Sequence, residues 1–281
     1  MTTRVLITGA AGQLGHDLVR AFDGPTHEVV ACDRAMLDVG HRERTLQVIT
    51  TVQPDVVVHA GAYTAVDAAE SDVDRAFQVN ALGTRHVAEG ARISGARLCY
   101  ISTDYVFDGA ADRPYLEWDT PNPLTVYGRS KLAGERELDP ASTIVRTSWV
   151  CGASGKNFVK TMLRLAGERD EIGVVADQQG CPTFTADLAG MIRHLVVARL
   201  PGVFHVTNQA PTTWFELARA TLAAAGLDAG KIRPITTADY PVPAPRPAYS
   251  VLDNAALRLQ GIPLLPEWPE PLERLVKELT A

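Results

Sequence analysis

Tyr127 and Lys131 stand four residues apart in the segment VYGRSKLAGE, a spacing that puts two side chains on one face of a helix. An ammonium beside a phenol favours the phenolate, making the phenol a stronger acid than its ordinary pKa of about 10 implies. Such a pair can move a proton on or off a sugar or alcohol oxygen near neutral pH. Chance can supply the spacing, so its surroundings must carry the reading. In the plain alternative Tyr127 packs its ring and Lys131 sits in solvent. A second group with chemical use is Gly9-Ala10-Ala11-Gly12-Gln13-Leu14-Gly15, which follows an apolar strand and opens a helix. There, backbone amides can approach a pyrophosphate at the positive end of the helix dipole. The next strand ends at Asp33, 18 residues past Gly15, where a carboxylate would bind an adenosine ribose 2'-hydroxyl. Arg34 follows and would hold a 2'-phosphate instead. NADH and NADPH both fit, and the plain alternative for Asp33 is a strand-end cap.

The elements that must position these residues alternate. Short apolar, β-branched runs at 5–8, 28–32, 55–59, 97–102 and 143–146 predict strands, with helices over 13–22, 43–52, 74–94 and 126–138 between them. Continuous apolar strands separated by helices predict an α/β fold: a Rossmann-like, doubly wound parallel sheet buried on both faces. Beyond residue 150 the order changes. Helices are expected at 157–166, 186–197 and 214–225, strands at 172–175 and 202–206, and a proline-rich stretch at 240–247. Residues 1–150 are therefore expected to form the NAD(P)-binding domain. Residues 151–281 form mainly a smaller, interleaved substrate-binding lobe, with about 170–200 returning to the first domain. Such a lobe would close over the carboxyl ends of the strands, where open α/β sheets bind ligands.

Bulk properties exclude several classes. The 281 residues are 46% hydrophobic and 21% charged, and 27 basic against 33 acidic residues leave a net charge of -6. That argues against a nucleic-acid surface. Cys32, Cys99, Cys151 and Cys181 are scattered without a C-x-x-C pair, which suits reduced thiols rather than a disulfide framework or zinc. No apolar run approaches the roughly 18 residues of a membrane span. With the first strand beginning almost at once, no signal peptide is expected, and the chain reads as cytoplasmic. Seven histidines lack paired ligand spacing, so no metal is expected.

The glycine turn, Ser102-Thr103 ending the fourth strand, and Tyr127-x-x-x-Lys131 together resemble the extended short-chain dehydrogenase/reductase family. Longer stretches resemble its dTDP-4-dehydrorhamnose reductase branch: Ala62 to Asp67 (AYTAVD), Ser102 to Gly109 (STDYVFDG), Arg146 to Val150 (RTSWV), Gly155 to Phe158 (GKNF), Gly180 to Thr183 (GCPT) and Arg246 to Asp253 (RPAYSVLD). The resemblance implies reduction of the C4 ketone of dTDP-4-dehydro-L-rhamnose to dTDP-L-rhamnose by NADPH or NADH. Tyr127 would donate the proton, and Lys131 would lower the Tyr127 pKa and bind the nicotinamide ribose. Thr103 would hydrogen-bond the carbonyl oxygen. The cofactor would also meet Gly9, Gly12, Gln13, Leu14, Gly15, Asp38, Val39, Ala60, Ala62, Tyr63, Ser102 and Tyr127 itself. Thr64, Val66, Asp104, Tyr105, Trp149 and Asn157 would hold the sugar and base end, although core packing is the plain reading of Trp149. Arg246 would grip the diphosphate bidentately; otherwise it is a surface arginine beside a proline-rich loop.

Related 4,6-dehydratases carry Thr-Asp-Glu where this chain has Thr103-Asp104-Tyr105. The missing acid disfavours dehydration. Departures from the branch are Cys151 in place of tyrosine and His59 in place of asparagine. Some members bind magnesium between subunits, but Asp187, Glu270 and Glu273 do not match that arrangement. A homodimer stays open. Two alternatives remain: a 4-ketoreductase for another dTDP-deoxysugar, and a non-catalytic NADP-binding regulatory subunit.

Overall fold

The computed structural model describes residues 2–281. Six strands form one parallel sheet in the order Gly202–His205, Thr143–Thr147, Arg97–Thr103, Val56–His59, Thr3–Thr8 and His27–Cys32. Helices cover both faces, so the central strands have no wet side; all four residues of Val56–His59 are buried, as continuous Val-rich strands require. The chain leaves Thr3–Thr8 for one edge through His27–Cys32, then returns to its other side at Val56–His59. That reversal opens a crevice at the carboxyl ends of these two strands.

The sheet core is assembled from distant parts of the chain. Val5, Ile7, Leu18 and Phe22 pack with Leu188, Ile192, Leu195, Phe204 and Leu257. Helix Thr185–Val197 lies against helix Gln13–Phe22, and Gly202–His205 closes the sheet edge. Away from this sheet, Ile172–Val175 pairs with Ile232–Ile235 over Met162, Ala218 and Leu222. No helix among the described residues is long and apolar enough to cross a membrane.

Two differences from expectation bear on the site and the core. The helix predicted over 74–94 is three pieces: Val73–Phe77, a π turn at Gln78–Leu82, and Gly83–Ser94. The wider turn turns Asn80 inward, where its side chain accepts from the Tyr63 amide at 2.8 Å and donates to the Tyr63 carbonyl at 3.0 Å. A regular helical period cannot reveal this, and π turns recur at functional sites. The second is a helix at Pro269–Thr280 that the reading above lacks. It buries Leu272, Leu275 and Val276 against Cys151, Phe184 and Leu217. Its signals were present: proline at the helix start and apolar residues at three- and four-residue steps.

Candidate functional site

The crevice continues into one cleft of about 860 Å³, within the size range of small-molecule sites. One end is the glycine turn. Gly9 has φ +68°, and a Cβ there would lie 2.7 Å from the Gly61 Cα, so only glycine lets the turn lie against the 60–63 segment. Gly12 caps helix Gln13–Phe22 and offers no side-chain acceptor to the first-turn amides. Those donors and the helix dipole suit an anion.

The middle of the cleft belongs to helix Val126–Glu135. Thr125 caps it, its hydroxyl accepting from the Gly128 amide at 2.9 Å. A Cβ at Gly128 would run into the Tyr105 carbonyl oxygen, so glycine allows the helix to sit directly on the turn that follows Thr103. Asn80 also donates to the Ser130 hydroxyl at 2.9 Å, tying this helix to the Tyr63 segment. Tyr127 and Lys131 therefore share a wall with Thr103.

Their electrostatics differ from the sequence expectation. Lys131 is 2% exposed; its Nζ donates to the Ile101 carbonyl at 2.6 Å and lies 4.0 Å from the Tyr100 ring centre. Burial brings this lysine down to about 7, while Glu135 pulls it upward. Tyr127 is not brought down. Burial pushes its phenol up to about 12, against a lowering by the Thr103 hydroxyl and with a further rise from Asp104. Desolvation of the phenolate is the largest effect here, and Lys131 is not among the groups acting on this phenol. Asp104 is itself pushed up to about 6 by burial, and its Oδ2 has no hydrogen-bond partner among the described residues.

The cleft brings most of the sequence-identified residues together. Gly9, Gly12, Gln13, Leu14, Gly15, Arg34, Asp38 and Val39 line one end. Ala60, Ala62, Tyr63, Thr64 and Val66 form one side, facing Ser102, Thr103, Asp104 and Tyr105. Trp149 is both cleft wall and core. Its φ is +47°, rare for a bulky residue, and its ring stacks on Trp214 at 3.6 Å.

Three residues lie outside the lining. Asp33 instead accepts from the Met36 amide at 2.9 Å, a strand-end cap. Asn157 caps helix Phe158–Glu168 and donates to Gln13 at 3.0 Å. Arg246 is held by Asp67 at 2.7 Å, at the rim near Tyr105, whose phenol it acts on. Ser102 lines the cleft, but its hydroxyl donates to Glu135 at 2.5 Å. Of the acids weighed for magnesium, Asp187 and Glu270 both pair with Arg274.

Sequence reasoning missed Arg75, Lys156 and Thr147, which also line the cleft. Arg75 pairs with Asp38 at 3.1 Å and comes from the broken helix, so no motif marked it. Lys156 lies within the GKNF stretch and Thr147 within RTSWV, so position in a matched segment was the available signal.

Comparison with known proteins agrees with this architecture. Residues 3–281 match the family described as RmlD substrate binding domain. The dTDP-4-dehydrorhamnose reductase of Aggregatibacter actinomycetemcomitans is 41% identical, covering 97% of this chain and 98% of its own. The dTDP-4-keto-6-deoxy-D-glucose reductase of Streptomyces niveus is 40% identical over 100% of this chain and 99% of its own. Among solved structures, dTDP-4-dehydrorhamnose reductase from Bacillus anthracis str. Ames in complex with NADP superposes with a TM-score of 0.96, at 43% identity, covering 99% of this chain and 100% of that one. With a family match over nearly its whole length and a cleft built on a glycine turn suited to an anion, the chain belongs to the RmlD substrate binding domain family, as an NAD(P)H-dependent oxidoreductase.

Proposed function

We propose that this chain reduces the C4 ketone of dTDP-4-dehydro-L-rhamnose to dTDP-L-rhamnose, with Tyr127 as the proton donor. The observation that carries the reading is the half-buried Tyr127 phenol, set beside the Thr103 hydroxyl in the same cleft as Lys131 and the glycine turn. The uncapped amides after Gly12 fit a pyrophosphate, while Arg34, Asp38 and Val39 flank the adenosine end. When bound there, the reduced nicotinamide supplies the hydride. Raised to about 12, the phenol is fully protonated near neutral pH, the form a donor needs. Thr103 donates to the carbonyl oxygen as negative charge develops, and Tyr127 protonates that oxygen. Lys131, when protonated, offsets the phenolate left behind.

Arg246, at the rim, is placed for the diphosphate once it exchanges part of its contact with Asp67. Arg246→Ala is expected to raise the substrate KM about tenfold with a smaller effect on kcat, as loss of ground-state binding does. Initial-rate measurements check this, and an unchanged KM moves the diphosphate elsewhere.

A different dTDP-4-ketosugar is the second reading, favoured by the 40% identity to the Streptomyces niveus enzyme. Following NADPH and NADH absorbance with dTDP-4-dehydro-L-rhamnose and with dTDP-4-keto-6-deoxy-D-glucose separates the two. Turnover confined to the second sugar overturns the first reading; a common pair of KM values for the two cofactors removes any preference for the 2'-phosphate.

A further inference from the structure

Beneath the proposed proton site lies a buried ionic group that no sequence motif marked. Glu135 ends the helix that carries Tyr127 and Lys131, one helical step of four residues beyond Lys131. Its carboxylate accepts from Arg146 Nε at 2.9 Å and Nη2 at 2.7 Å, and from the Ser102 hydroxyl at 2.5 Å. The side chains of Glu135 and Arg146 are 6% and 4% exposed. Ser102 and Arg146 are direct neighbours on adjacent strands, so the carboxylate bridges two strands of the sheet. A buried ion pair is seldom kept for stability, because desolvation offsets its attraction. Here it sits under a buried lysine with a lone carbonyl as its hydrogen-bond partner.

We propose that Glu135 is a positioning residue for the Tyr127–Lys131 pair: clamped by Arg146 and Ser102, it supplies the negative charge that keeps Lys131 an ammonium and fixes the helix against the sheet. This rests on the reading of Tyr127 and Lys131 as the proton site. The other groups facing Lys131 give it little support. Tyr127 on its own helix and Tyr100 on the strand below are neutral phenols with raised pKa values, and His59 on the next strand is held neutral by burial. Asp104 lies on the Tyr127 side and is not among the groups acting on Lys131; Glu135 is. Without Glu135, burial acts on the lysine unopposed.

The test is an NMR titration of the intact chain labelled at the lysine ε-carbons. The sequence has five lysines, and the Lys131 signal is assigned by its loss in Lys131→Met. Glu135→Gln keeps the shape and removes the charge; the Lys131 midpoint is expected to fall by roughly one to two pH units. The alkaline limb of kcat/KM moves with it. Glu135→Asp keeps the charge and returns both towards wild type. A midpoint unmoved by Glu135→Gln, or moved equally by Gln and Asp, overturns the proposal. Should Glu135→Gln fail to fold with Arg146 left unpaired, Glu135→Gln/Arg146→Gln is compared with Arg146→Gln alone, which isolates the Glu135 charge: the Lys131 midpoint is expected to be lower in the double variant, and the absence of that difference is equally decisive. The titration needs no turnover. A midpoint that moves while the rate profile stays supports the role of Glu135 and removes Lys131 from the reaction.

Discussion

Replacing Tyr127 with phenylalanine is expected to lower kcat by about 10²–10⁴-fold, the range in which a positioned general acid contributes. The substitution deletes one O–H and little else. The ring still fills the pocket against Ala69, Ala76 and Val126 and keeps its edge contact with Tyr105 at 5.5 Å between centres. NADPH affinity should therefore stay within about twofold, since the cofactor cradle is built from other elements. Steady-state kinetics with fluorescence titration of NADPH measures both. Near-normal turnover would remove Tyr127 from the reaction. In the wild type the alkaline limb should fall near pH 7, where burial has placed Lys131, and not near 10, because the phenol itself stays protonated to about 12.

Acid should destabilise the fold through His59 and His205. Burial takes both down to about 3, with Lys131 adding to the effect at His59 and Arg146 at His205. His59 lies between the hydroxyls of Thr8 and Thr84. His205 Nδ1 donates to the carbonyls of Tyr115 and Asp253, and its Nε2 is buried without a partner among the described residues. The sign follows from proton uptake. Below pH 6.5 the unfolded chain protonates these rings and the native one does not, so stability falls as pH falls. Between pH 7 and pH 5 each ring costs about 2 kcal/mol. Asp104, raised to about 6, takes up its proton earlier in the native state and returns about 1 kcal/mol over the same range. Urea unfolding should thus show a net loss of about 3 kcal/mol at pH 5. His205→Gln lowers stability at pH 7 but removes its share of the slope; an unchanged slope would mean that His205 is not one of the titrating groups.

The parallel sheet was legible because its strands are short, continuous apolar runs. The first helix was read at its true ends because a glycine turn and an apolar stripe bound it. Pattern failed where side chains, not periodicity, set the backbone. The π turn exists to turn Asn80 towards Tyr63 and Ser130, and nothing in 74–94 announces a fifth residue in a turn. In the cleft, motif residues on the strand ends and the 126–135 helix fell where expected. Asp33, Asn157 and Arg246 lie outside the lining, since each found a nearer partner in the folded chain. The pKa of Tyr127 was misjudged for a related reason: spacing reveals a neighbouring lysine but not the dryness that surrounds the phenol.

The shared core of the first and last thirds bears on how the chain folds. The core around Leu18 and Phe22 is completed by residues at 188–206 and by Leu257, and the edge beside Thr143–Thr147 stays open until Gly202–His205 arrives. A nascent chain that has emerged only to residue 150 therefore shows an unfinished apolar face and an unpaired strand, the features that invite aggregation. Parallel strands joined over such separations also pair slowly. Productive folding should wait for synthesis to pass about residue 260, so truncation within the last quarter of the gene would be expected to yield insoluble product and not a stable cofactor-binding fragment.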